Sequence, residues 1–504
     1  MYSVISQKPS IAPREWAVVF AGGATFVFSA WSFAGVMAWA LHAMLIGGLV
    51  TLTCAAFPIP SFGVHSLQRF RVWYNGTDGE HSNSKNIKRL ILSPFFLLGL
   101  CFILYLCVQA NNPSMVRMED ERGWWWIEAI EPPFGIAWPS SIRTNFEPMN
   151  AWRAIELHLA AGSLACGLWV GLRRRKAALV VLWAFVISGV LLAVVAMLQH
   201  FSGADKVLWT VASENENFWG SFFYRNHGAA YLNWVLVVTG CLYFYHAKRS
   251  AECGQSGGPH FLCVFGIVLT ACSVGLALSR GGILFATLIT GVFFVSIVFQ
   301  YVVKNMRSSG VLLSSILALM IAVGLAMAHQ TIDWKAIKER FGAIDATIEN
   351  IDSDQRTLAT RATYNMAKDR ILFGWGAGSF RYVFPKYQKA YPALWHADHH
   401  REYGWRGQQF YRYAHNDIVQ FLAEYGIVGL SLLLFALFSL IVAGFSGIVR
   451  HPLLVLFLLF GFACAGAHAF ADFIFSCPSY WVAFVGSLAL LNRFVKLEAK
   501  HLKP

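Results

Sequence analysis

Charge is what this sequence has least of. Asp, Glu, Lys and Arg supply 13% of 504 residues, against 57% hydrophobic residues. A soluble chain of this size carries about a quarter charged residues, so an ordinary soluble domain is excluded before any motif is read. Cysteine is missing from the long polar segments: Cys54, Cys101, Cys107, Cys166, Cys241, Cys263, Cys272, Cys464 and Cys477 fall in apolar runs, and Cys253 in a short basic loop. That distribution offers neither a disulfide framework nor a CxxC metal site, and buried hydrophobes account for it. The apolar runs lack the alternation of barrel strands, which excludes an outer-membrane barrel. Their centres are nearly free of ionisable residues and no repeat relates the first six to the last six, which argues against a flippase or other transporter.

What remains is a series of long apolar runs. A hydrocarbon core of roughly 30 Å needs about 20 such residues per helix. Runs of that length lie near 16–34, 36–57, 90–109, 151–171, 177–199, 228–247, 260–278, 283–302, 310–328, 427–447, 452–471 and 473–491. The first follows Lys8 and Arg14 and continues straight into the second, so a retained helix is expected rather than a cleaved signal peptide. The expected fold is an all-α polytopic membrane protein of about twelve helices.

The net charge of +13 is distributed as topogenic charge, not as a nucleic-acid surface. Arg69 and Arg71, Arg173 to Lys176, Lys248 and Arg249, Lys304 and Arg307, Arg450, and Arg493 to Lys503 occupy every second connection. Twelve helices place them all on one side, which is then cytoplasmic and holds both termini. The other side receives 110–150, 200–227 and the long segment 329–426. This divides the chain into 1–328 with helices one to nine, a large, partly helical loop domain over 329–426, and 427–504 with helices ten to twelve and a cytoplasmic tail.

Three places on that side carry candidate chemistry. In LSRGG (278–282), Arg280 ends one apolar run and two glycines begin the next; it either faces a wet cavity and an anion or snorkels to the headgroups. In RYAHNDIVQFLAEYG (412–426), His415 stands where loop meets helix, as a general base would, or as a cap. Arg412 would share its face on an unbroken helix, whereas Glu424 at i+9 would point away. In FFYRNHGAAYL (222–232), Arg225 is a second anion ligand or an interfacial anchor within an aromatic belt. His396, Asp398, His399 and His400 match no strong metal pattern. His468 and Asp472 share a helix face as a relay or a structural pair. Tyr382, Phe384, Tyr387, Tyr391, Trp395, Trp405, Tyr411 and Tyr413 either stack on sugars or form the loop's own core.

Taken in order, FFYRNHGAAYL, LSRGG, TRATYNMAKDRILFGWGAGSFRYVFPKYQ (360–388), HNDIVQFLAEYGIVG (415–429) and HAFADFIFSCPS (468–479) resemble the O-antigen ligase and O-antigen polymerase superfamily. The likeness covers roughly 220 to 480; earlier residues match in helix layout and in WPSSIRTNFEP (138–148). It implies a GT-C-like, metal-independent glycosyltransferase of the bacterial inner membrane that needs no cofactor. Such an enzyme moves a glycan from undecaprenyl diphosphate to an acceptor hydroxyl on the periplasmic face. The resemblance implies that His415 is the base and that Arg280 holds the donor diphosphate. Arg225, Arg361, Arg412 and Asn416 are the accompanying substrate-binding candidates. It leaves Gly374, Gly376 and Gly378 as a loop bend and not a dinucleotide site, since no βαβ pattern surrounds them. Lipid A-core is the favoured acceptor; a growing lipid-linked glycan (a polymerase) or a protein are the alternatives.

Overall fold

In a computed structural model of the protein the described residues are 11–57, 86–304, 354–395 and 409–500, apart from 137, 147, 148, 214 and 256. The expected ninth span near 310–328, His396, Asp398, His399, His400, Trp405 and the first part of the long loop lie outside them. Every other expected span is a helix: α1 (Pro13–Trp31), α2 (Ala38–Ala56), α3 (Pro94–Asn111), α4 (Ala151–Gly171), α5 (Arg175–Phe201), α6 (Arg225–Glu252), α7 (His260–Leu276), α8 (Arg280–Lys304), α12 (Asp417–Gly444), α13 (Pro452–Ala471) and α14 (Pro478–Lys500). Among the described residues nine helices are long and apolar enough to cross a membrane. The fold is an all-α polytopic membrane bundle.

Burial ranks these helices. The apolar stretches of α6 and α14 are buried almost all round, while α2, α3 and α8 keep most of theirs on the outside, as expected of central helices and lipid-facing ones. Close approach at the centre depends on small residues. A methyl group at Gly240 would collide with the Phe457 ring, and one at Gly461 would collide with Val237, so α6 and α13 touch where side chains are absent. The Trp234 indole of α6 donates to Ser487 Oγ of α14 at 2.6 Å, which satisfies a fully buried donor.

The bundle carries a second, smaller core at one end. Residues 113–143 form a three-stranded sheet, β1 (Pro113–Glu119), β2 (Trp125–Ala129) and β3 (Ser141–Arg143), in the order β2-β1-β3. Strands are not expected there from the sequence; Val116, Trp125, Trp126 and Ile127 are good strand formers in a segment too short and polar to span. One antiparallel strand pair at 206–212, β4 (Lys206–Val207) and β5 (Val211–Ala212), lies in the 200–227 connection. Beyond them come α9 (Gln355–Asp369), α10 (Phe380–Gln388) and α11 (Pro392–Trp395). Ile142, Met149, Ala362, Met366, Trp375, Phe380, Tyr382, Phe384 and Leu394 form one apolar cluster, with Tyr387, Tyr391, Tyr411 and Tyr413 packed against it. Tyr382, Phe384, Tyr387, Tyr391, Tyr411 and Tyr413, six of the eight aromatic residues singled out in the sequence, therefore build the loop's own core.

The long loop is fastened to α12 through backbone. Trp375 and Gly376 donate to the carbonyls of Ala423 and Glu424, and Ile427 and Val428 donate to those of Ile371 and Leu372. α12 kinks at Gly426 (φ 64°, ψ −178°) to allow this. Gly376 has φ 102°, and a Cβ there would lie 2.5 Å from Ser141 Cα. Only glycine fits this strap. It is a loop bend, and among the described residues no βαβ unit adjoins it.

Candidate functional site

Four helices begin at the same place. The N-termini of α6, α8, α9 and α12 all open onto one cleft of about 770 Å³. Each start has a local cause. Asp354 caps α9 by accepting from Thr357 N at 2.9 Å, Asn416 caps α12 by accepting from Val419 N at 3.1 Å, and Ser279 Oγ accepts from Gly282 N at 3.2 Å in the first turn of α8. Free N–H groups and the helix dipoles give the cleft a positive potential without any ionised side chain.

Ionised side chains add to it. Arg225, Arg280, Arg356 and Arg361 line the cleft, together with Tyr224, Asn226, Asn215 and Asn217. Arg225 and Arg280, remote in sequence, are thus brought to one wall. Arg361 and Asn416 also line it, as does His415. Arg412 does not. The helix starts at Asp417, so Arg412 and His415 do not share a helical face, and Arg412 is exposed beside Tyr413 and Arg381. Sequence reasoning misses Arg356; it lies five positions before Arg361, a spacing that marks no shared helix face.

His415 takes a left-handed backbone conformation, φ 55°, immediately before the cap residue. Its Nδ1 lies 3.4 Å from Asp472 Oδ1, an ion-pair separation without hydrogen-bond alignment. The ring stands edge-on to Phe473 at 4.7 Å. Phe473 in turn is stacked between Tyr413 (4.5 Å) and Tyr224 (5.3 Å). The carboxylate beside this histidine is therefore Asp472, 57 positions away in sequence. Glu424 has other work: it accepts from the backbone N–H groups of Gly378 and Phe380 and from Gln420 Nε2.

Asp472 follows α13 as its C-cap and is almost wholly buried. Asn226 Nδ2 donates to its Oδ2 at 2.5 Å and Phe473 N–H to its Oδ1 at 2.9 Å. Arg356 donates to the Ala471 carbonyl at 3.2 Å and brings Nη2 to 3.9 Å from Asp472 Oδ2. Burial alone would raise the Asp472 pKa, but the His415 imidazole and the charges of Arg356 and His468 outweigh it and hold the carboxyl below its ordinary range. His468, read from the sequence as its helical partner, does not pair with the carboxylate through its side chain. Its Nε2 lies against Gly281 of the α8 turn. His227 is buried with Nε2 3.1 Å from the Phe473 carbonyl. Among the described residues no group of three or more His, Cys, Asp or Glu is placed to hold a metal ion.

Residues 265–434 match the family model described as O-antigen ligase. The match covers about a third of the chain. The matched segment runs from α7 into α12, and so contains Arg280, Arg356, Arg361 and His415. Arg225 falls outside it and lines the same cleft from α6, and Asp472, also outside it, reaches His415 from the end of α13. A search of curated proteins gives no match to the chain. The match supports a glycosyltransferase-like membrane enzyme acting on a lipid-linked glycan and an acceptor.

Proposed function

We propose that the protein is a periplasmic-facing ligase of the bacterial inner membrane, moving a glycan from undecaprenyl diphosphate to an acceptor hydroxyl. The observation that carries this reading is the convergence of four helix N-termini and four arginines on the cleft that holds His415. A diphosphate is the ligand such a field suits: it presents several oxygens to planar guanidinium forks and to free backbone N–H groups. The described residues 354–395 and 409–426, with those of 110–150, form the glycan-selecting cap, and the apolar helices hold the lipid tail.

The chemistry needs one proton path and one charge sink. The acceptor oxygen attacks C1 of the donor sugar as the bond from C1 to the phosphate oxygen breaks, with inversion at C1. Asp472 beside Nδ1 favours the tautomer with its proton there, leaving Nε2 free to take the acceptor proton. The same carboxylate stabilises the imidazolium that results. Arg280, Arg225, Arg356 and Arg361 stabilise the charge that develops on the leaving diphosphate.

The test is donor binding by the full chain in nanodiscs, using undecaprenyl diphosphate as probe. Arg280→Lys and Arg356→Lys weaken binding about tenfold or more, because a point charge does not reproduce bidentate contact. Unchanged binding in both variants refutes the donor assignment.

A further inference from the structure

A second group of arginines gathers around Tyr413. Arg117, Arg153, Arg381 and Arg412 come from β1, the start of α4, α10 and the segment before α12. Arg381 feels both Arg412 and Arg117 as like charges, and Tyr413 feels Arg153 and Arg412. Phe146 is shared between two guanidinium groups, Arg381 at 4.5 Å and Arg117 at 5.9 Å, and Arg117 also stands 5.8 Å from the Trp125 ring. Glu119 pairs with Arg117 at 2.6 Å. Arg153 spends one N–H on the Val36 carbonyl at 2.6 Å. Arg153, Arg381 and Arg412 have no acidic partner among the described residues, and Arg381 Nη1 is inaccessible to solvent with no hydrogen-bond partner there.

Like charges gathered on one wall repel, and a guanidinium nitrogen without a partner costs desolvation. Structural arginines avoid both by pairing with carboxylates. A group that is left without them is suited to an anion that arrives from outside. The aromatic residues fit the same ligand: Trp125 contacts Tyr382 edge-on at 5.7 Å and Phe410 at 6.1 Å, a ring surface suited to a sugar face.

We propose that Arg153, Arg381 and Arg412, with Arg117 behind them, form a second anion site that receives an acidic group of the acceptor. The acceptor is then an anionic glycan, and this extension rests on the transferase reading above. Its position gives the role. Tyr413 stacks on Phe473, which His415 also contacts, so an acceptor anchored here places a neighbouring hydroxyl toward His415. The acidic group is a phosphate or a uronic carboxylate; both make the same guanidinium contacts. This also assigns Arg412, which the donor cleft leaves unused.

Binding of small anions by the full chain in phosphatidylcholine nanodiscs tests this, with the donor cleft disabled by Arg280→Ala and Arg356→Ala. Fructose 1,6-bisphosphate and trigalacturonate are the anionic probes and maltotriose the neutral one. At least one anion is expected to bind this background, more tightly than maltotriose. Adding Arg381→Gln with Arg412→Ala weakens it about tenfold or more. Preference for the bisphosphate assigns a phosphate, and preference for trigalacturonate a carboxylate. Arg412→Glu alone, at an exposed position, gives the same loss should the paired substitutions unfold the protein. The proposal is overturned if neither anion binds the background, or if binding ignores these arginines. A wild type that shows no glycan transfer sinks the transferase reading separately, since this binding does not depend on turnover.

Discussion

Replacing Asp472 by Asn removes one charge and changes almost no volume, so its effect isolates the electrostatic role of the carboxylate. Oδ1 faces His415 and accepts from Phe473 N–H, while Oδ2 accepts from Asn226. An amide places an NH2 group at one of these positions, so either Asn226 or Phe473 meets a donor instead of an acceptor. The imidazolium formed during transfer also loses its counter-charge. Opposite unit charges 3.4 Å apart attract by about 5 kcal/mol at an effective dielectric of about 20. His415 is about a quarter exposed, so solvent screening reduces this to about 2–3 kcal/mol, or about 10²-fold in rate. The assay is transfer from a lipid-linked glycan at saturating donor, in purified protein of matched folding. Asp472→Asn lowers kcat about 10²-fold, and adds nothing further in a His415→Ala background, because the carboxylate acts through the imidazole. A kcat within threefold of wild type, or an undiminished effect in the double variant, refutes the pairing. The same carboxyl also makes stability depend on pH. Its folded pKa lies below the unfolded value of about 3.9, so its contribution is complete above that value and declines as pH falls beneath it. Wild type therefore loses more melting temperature on acidification below about pH 4 than Asp472→Asn does.

Two further outcomes are expected. Gly376→Ala forces a Cβ to 2.5 Å from Ser141 Cα at a φ of 102°, and lowers stability by about 3 kcal/mol or more, measurable as a fall in melting temperature; an unchanged melt contradicts the strap's role. Reporters fused at Lys389 read periplasmic while those fused at Arg175 and Arg249 read cytoplasmic, and a cytoplasmic signal at Lys389 removes the proposed orientation.

Length and hydropathy make the bundle legible, because a membrane demands some 20 apolar residues per helix and leaves little freedom. The chain's local signals also locate Arg280, Arg225 and His415 at helix starts. Long-range packing decides the rest. Asp472 is adjacent to His468 by helical periodicity, yet α13 ends one residue before it and its carboxylate turns toward His415. Arg356 has no periodic relation to Arg361, but both line the cleft near the start of α9. The strands at 113–143 are hidden because a short, half-buried sheet under a loop lacks the clean alternation that marks a strand. Arg412 shares a face with His415 only on a helix that includes both, and α12 starts at Asp417.

The central claim is that His415 takes the acceptor's proton, and removing its side chain tests it most directly. His415→Ala should insert, fold and bind undecaprenyl diphosphate as wild type does, because the arginines and helix N-termini of the cleft are untouched. Transfer of the glycan in matched membranes should fall about 10²–10⁴-fold, the usual worth of a general base. Near-normal transfer by a folded, donor-binding His415→Ala protein would contradict the mechanism and show that another group carries the proton.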